Sequence, residues 1–124
     1  MKRLSILLLL PLLVGANACA RGCDATRFPG ISVTVVDKAT GIPFAGDVTV
    51  TATEGSYTET ITPPAVPAGP RLGSLAYERP GTYRVEVQAP GYVTWAATNV
   101  RVTRDGCHVE TVQLTAELEP AGTN

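Results

Sequence analysis

Tyr83-Arg84-Val85-Glu86-Val87-Gln88-Ala89-Pro90-Gly91-Tyr92 is the stretch that decides the fold class. Tyr83, Val85 and Val87 fall on every second position, so an extended backbone sends them to one face and Arg84, Glu86 and Gln88 to the other. Pro90-Gly91 then ends the strand. Proline presets one backbone angle of a turn, and glycine accepts positive φ at the next position.

Outward from this segment the same period of two recurs. Ile31, Val33 and Val35 alternate with Ser32 and Thr34; Val48, Val50 and Ala52 alternate with threonines; Val100 and Val102 flank Arg101. Weaker strands are expected over residues 56–62, 72–78 and 92–98, with a last one from 107 to about 118. Turn chemistry separates them at Lys38-Ala39-Thr40-Gly41, Glu54-Gly55, Pro80-Gly81, Pro90-Gly91 and Asp105-Gly106. Pro63, Pro64, Pro67 and Pro70 remove four ladder donors, which makes residues 63–70 an extended connection and not an interior strand. No helical stripe is found outside the N-terminal leader, so the expected class is all-β, a sandwich or barrel.

The last strand changes phase. Cys107 and Val109 share one parity, Val112, Leu114, Ala116 and Leu118 the other. Either a β-bulge near Glu110 and Thr111 re-aims the side chains, or the strand begins only near Thr111.

Residues 1–18 read as an export signal. Lys2 and Arg3 precede an apolar run, Leu4 to Val14, and small residues lead to Cys19. The run is shorter than the roughly 20 residues that span a bilayer. Two cleavages compete: before Cys19, as in a bacterial lipoprotein whose Cys19 carries the lipid, or after Ala20 by ordinary processing. In either case Cys23 and Cys107 remain as an even pair that an oxidising compartment favours joining. The expected location is a membrane-anchored lipoprotein of the bacterial envelope, or a periplasmic or secreted protein if Cys19 is not lipidated.

Cleavage before Cys19 leaves 106 residues, enough for one small domain, with eight basic against eleven acidic side chains. This balance, with no Lys/Arg cluster, gives no electrostatic footprint for nucleic acid. The expected organisation is a tether over 19–29, a β-sandwich over 30–118 and a tail over 119–124.

Val33-x-Val35-x-Asp37-x-x-Thr40-Gly41-x-Pro43 followed by Val48-x-Val50, and later Pro80-Gly81-x-Tyr83-x-Val85-x-Val87-x-Ala89-x-Gly91-Tyr92, resemble the carboxypeptidase regulatory-like domains with a transthyretin-like, or prealbumin-like, fold. The likeness runs from about Gly30 to Leu118. It implies a seven-stranded, two-sheet Greek-key sandwich, an accessory unit without catalytic residues of its own. It also implies structural roles: Gly41 and Gly81 in turns, Pro43 at an edge or strand start, and Tyr83 anchoring a strand in the core.

Candidate chemistry is sparse. His108 is the sole histidine; with Glu110 it offers two ligands where a zinc site uses three or four, and Asp105 is the only obvious third candidate. Related folds include intradiol dioxygenases and hydroxyisourate hydrolases, which need more histidines than this chain has. Ser32, Ser56 and Ser74 lack a nucleophile-elbow setting. Tyr92 and Trp95, on opposite parities, leave room for an outward-facing aromatic and hence for glycan binding. The resulting expectation is a non-catalytic envelope module with a structural or protein-interaction role. No cofactor or metal is expected, and the partner is an unspecified envelope protein or glycan. The alternative is a carbohydrate- or peptidoglycan-binding module; a hydrolase or metal-dependent enzyme ranks below both. Tyr92, Trp95 and His108 are the candidate ligand-facing residues, Cys19 the candidate lipid site, and Cys23 and Cys107 the candidate disulfide.

Overall fold

The structure, a computed structural model, describes residues 22–67 and 69–122. The expected signal at 1–18 and the candidate lipid site Cys19 lie outside the described residues. Seven strands form: β1 (Ile31–Asp37), β2 (Thr49–Glu54), β3 (Tyr57–Ile61), β4 (Arg71–Leu75), β5 (Gly81–Gln88), β6 (Trp95–Val102) and β7 (Val112–Leu118). They make two sheets, ordered β4-β1-β7 and β3-β2-β5-β6. The chain is therefore an all-β, two-sheet sandwich, with no helix among the described residues.

The alternating residues supply the core between the sheets. Ile31, Val33 and Val35 from β1 meet Val50 and Ala52 from β2, and Val85 and Val87 from β5, all fully buried. Each of the valines and Ile31 contributes roughly 1.5–3 kcal/mol by leaving water, Ala52 less. Tyr83 is buried with them but keeps its hydroxyl at the rim, where it donates to the Arg79 carbonyl at 2.8 Å.

β1 is the middle strand of the small sheet, antiparallel to β4 and parallel to β7. Two hydrogen-bonded neighbours explain why its alternation is so regular: a one-residue slip would turn its three apolar side chains outward. Strand directions then sort the connections. The N-terminal segment, the β2–β3 turn, the β4–β5 turn and the β6–β7 loop lie at one end of the sandwich. The β1–β2 loop, the proline-rich β3–β4 connection, the β5–β6 turn and the C-terminal residues lie at the other.

Local turns follow the sequence closely in most places. Asp37 Oδ1 accepts from the backbone N–H groups of Ala39 and Thr40 at 2.9 and 3.1 Å, an Asx turn that folds the β1–β2 loop back toward β1. Phe44 N–H then reaches the Val35 carbonyl at 3.0 Å, and Pro43 bridges Val36. After β5, Tyr92 N–H bonds the Ala89 carbonyl at 3.1 Å, with Gly91 at φ 79°, the type II geometry that Pro-Gly selects.

Four expectations change. The strand expected at 92–98 begins only at Trp95, and residues 95–98 and the pair Val100 and Val102 belong to one strand, β6, joined through a bulge. Tyr83 pairs with Val100 and Val85 with Ala97, so three steps on β6 face two on β5. Asn99 absorbs the extra residue at φ 54°, which restores Val100 and Val102 to the core side. In the second change, residues 107–118 do not form one strand. The strand starts at Val112, while Val109 pairs with Arg104 to close the β6–β7 loop.

The third change concerns Pro80-Gly81. The turn precedes it, with Ala76 and Glu78 at φ 53° and 51°, so β4 stops at Leu75 and Gly81 opens β5. A Cβ on Gly81 would meet the Glu54 carboxylate, which accepts from the Thr82 N–H, so a larger residue there would have to displace it. Finally, the expected tail at 119–124 is paired near its start: Glu119 accepts from Val93 N–H at 2.8 Å, and Ala121 N–H bonds the Gly91 carbonyl at 2.9 Å.

Asn99 offers a direct test of the bulge. Asn99→Val should lower stability by about 1–2 kcal/mol in urea unfolding, the usual cost of a left-handed backbone for an ordinary L-residue, whereas Asn99→Gly should be neutral or stabilising. Equal stability of the valine variant and the parent would show that the bulge does not require this conformation.

Candidate functional site

The two ends of the sandwich are built differently. At the end that carries the β1–β2 loop, Ile42, Pro43, Phe44 and Ala45 face Ala65, Val66 and Pro67 of the proline-rich connection across a groove of about 470 Å³. Ile42 and Val66 are 60% and 52% exposed. Prolines cannot donate to a ladder, so the connection stays out of the sheet and forms one wall.

Arg71, at the start of β4, fixes both walls. The residue is 5% exposed. Its Nε donates to the Phe44 carbonyl at 3.0 Å, Nη2 to Ala45 at 3.1 Å and Nη1 to Pro63 at 2.8 Å. One planar guanidinium thus ties the β1–β2 loop to the β3–β4 connection through three charge-assisted bonds. No reading of the sequence had singled out Arg71; its only signal was a charged residue where an apolar one would continue the β4 core face.

Tyr92 and Trp95, the candidate aromatic pair, do not form one platform. Tyr92 is half-buried and packs edge-on against Phe44, ring centroids 4.8 Å apart, beside a second cleft lined by Ile42, Pro43 and Asp47. Trp95, opposite Val87, is half-buried against the core and lines a different, smaller hollow of about 200 Å³ with Lys38, Thr94, Glu117 and Glu119. Lys38 and Glu119 pair across that hollow.

His108 sits at the opposite end. Cys23 and Cys107 are joined there by a disulfide, their Cα atoms 5.2 Å apart across 84 residues of sequence. The residues that follow each cysteine also pair: His108 Nε2 lies 3.1 Å from Asp24 Oδ1. On the other side of the ring, Nδ1 lies 2.7 Å from Glu78 Oε1. Ionised carboxylates only accept, so both ring nitrogens donate and the imidazolium is the form this arrangement holds. Phe28 stacks edge-on against the ring at 4.7 Å.

Glu78 is the hub. It accepts from Phe28 N–H at 2.9 Å and Val109 N–H at 3.3 Å, and Arg104 approaches within 3.5 Å. The Phe28 N–H, first, and the His108 and Val109 donors hold its carboxyl down at about 2. The Glu78 bond, followed by the charges of Glu78 and Asp24, pushes the His108 pKa above 6.5. Asp24 and Asp105 are shifted down, mainly by backbone N–H groups of Thr26 and of Cys107 and His108 respectively.

This geometry corrects the metal-ligand set considered from sequence. His108 lies in the β6–β7 loop and not on a strand; Glu110 turns to Thr103 Oγ1 at 3.1 Å, and Asp105 caps the loop backbone. The two carboxylates that do reach His108 approach opposite ring nitrogens, so they cannot converge on one ion through either. Ser32 and Ser74 pair across β1 and β4, and Ser56 lies in the β2–β3 turn, while His108 bonds carboxylates.

Arg71→Ala should destabilise the protein by about 3 kcal/mol or more, because three carbonyls lose a charged donor in a buried setting. Chemical denaturation would measure this, and amide hydrogen exchange of residues 44–46 should rise with it; a loss below about 1 kcal/mol would mean water replaces the guanidinium freely. No family model matches the chain, and no curated protein matches it.

Proposed function

We propose that this protein is a non-catalytic, envelope-exposed interaction module of the carboxypeptidase regulatory-like type, held to the membrane through a lipid on Cys19. The observation that carries the reading is the polarity of the sandwich. The N-terminal segment is clamped at one end, and the apolar groove of Ile42 and Val66 opens at the other, at the far side of strands roughly 20 Å long. An anchor near Cys23 would therefore present the groove away from the membrane.

A groove walled by proline, valine and isoleucine, with its loops braced by Arg71, suits an extended apolar segment of a partner protein, since little loop ordering is lost on binding. The His108 cluster supports the non-catalytic reading: its carboxylates are spent on backbone N–H groups and on the histidine itself. Glycan binding has less behind it, because Tyr92 and Trp95 line separate hollows.

The test is site-specific photo-crosslinking in cells. A crosslinker at Ile42 or Val66 should yield a discrete protein adduct, one at Ser56 at the opposite end should not, and Cys19→Ser should move the protein from the membrane to the soluble fraction. Equal adducts from all three positions, or retention on purified peptidoglycan without a protein adduct, would overturn the reading.

A further inference from the structure

The disulfide and the Asp24–His108 ion pair join the same two dipeptides. Cys23-Asp24 meets Cys107-His108, with the Asp24–His108 pair one residue beyond the sulfur bridge. His108 is tied in turn to Glu78, which also accepts the Phe28 N–H of the N-terminal segment. Further bonds dock that segment independently of sulfur: Glu78 N–H to the Phe28 carbonyl at 3.0 Å, and Thr111 Oγ1 to the Pro29 carbonyl at 2.7 Å. Residues 24–29 therefore make contacts with the β4–β5 turn and the β6–β7 loop that do not run through the sulfurs.

We propose that the Asp24–His108–Glu78 clasp docks the N-terminal segment before the sulfurs are joined, and so makes closure of the Cys23–Cys107 bond proton-dependent, favoured in mildly acidic surroundings. His108 is a positioning residue in this scheme: it brings the Cys23 thiol to the Cys107 thiol and takes no part in the exchange. Holding two thiols in one place raises their effective concentration, and any interaction that favours the docked segment favours the bond by the same factor.

The proton dependence has a definite sign. Glu78, in the β4–β5 turn, raises His108 in either state, and Asp24 raises it further only when the segment is docked, so the docked segment's contribution is complete below 6.5 and is lost as pH rises through the raised value. Glu78 titrates lower, so its contribution is complete above 4.5 and is lost as pH falls through about 2. The clasp is therefore strongest between those ordinary values. The groups facing His108 are Glu78 from the β4–β5 turn, Asp24 from the N-terminal segment, and Asp105 of its own loop. Arg104 reaches Glu78 and keeps it partly neutralised when His108 loses its proton.

Thiol–disulfide exchange with glutathione isolates this effect. Two protein thiols and one oxidised glutathione give the protein disulfide and two reduced glutathiones, with no net proton uptake while thiols stay protonated, as they mostly are below a pKa of about 8.5. Between about pH 5.5 and 7.5 a change in the equilibrium constant therefore reports the clasp. The full chain carrying Cys19→Ser leaves only Cys23 and Cys107 to react.

Its equilibrium constant should fall by about two- to fivefold across that interval, the range that exposed ion pairs support. His108→Gln and Asp24→Asn should each have a lower constant at the acidic end and a flat profile, with unfolding of their oxidised forms confirming an intact sandwich. A flat parent profile would overturn the proposal. So would a loss in His108→Gln that is equal at every pH, since packing against Phe28 would then explain it.

Discussion

β1 is the strand on which the sandwich depends. Its three inward side chains cross the interface, and both of its edges are hydrogen-bonded, to β4 in one direction and to β7 in the other. A central strand with one buried face has a single acceptable register, because a slip by one residue exposes every apolar group at once. The parallel pairing with β7 requires the chain to traverse the whole sandwich between the two strands. Closure of the small sheet therefore comes only when the last strand is in place.

The direction of β1 also gives the molecule its two unlike ends. The chain enters β1 beside the β4–β5 turn and the β6–β7 loop, so the N-terminal segment lies against Glu78, His108 and Cys107. It leaves β1 beside the proline-rich connection, where Arg71 binds backbone carbonyls from both loops. One end is cross-linked around a charged cluster; the other carries the open apolar groove. The same strand supplies the core and separates the anchored end from the exposed groove.

Both ends use one device. A single charged side chain satisfies backbone groups from segments that no sheet ladder reaches. Arg71 donates to carbonyls, and Glu78 accepts from N–H groups. Loops outside a ladder need such partners, since a buried backbone group left unpaired is costly. Glu78 holds its place although its own backbone is left-handed, at φ 51°. The Phe28, His108 and Val109 donors over-determine that conformation.

The sequence by itself determined what depends on neighbours in the chain. Period-two alternation marked the strands of β1, β2 and β5, Pro90-Gly91 marked a turn, and Asp37-x-x-Thr40-Gly41 contained every group its Asx turn uses. Counting cysteines found the Cys23 and Cys107 pair. Only the tertiary structure decided the rest. The Asn99 bulge exists because β6 must stay paired with β5 while changing phase, a demand made by β5 and invisible in residues 92–102. Arg71 finds carbonyls 8 to 27 residues away, and His108 finds Glu78 and Asp24 across 30 and 84 residues. Alternation and turn chemistry are short-range signals, whereas these bonds form only after folding brings separate loops to one end of the sandwich.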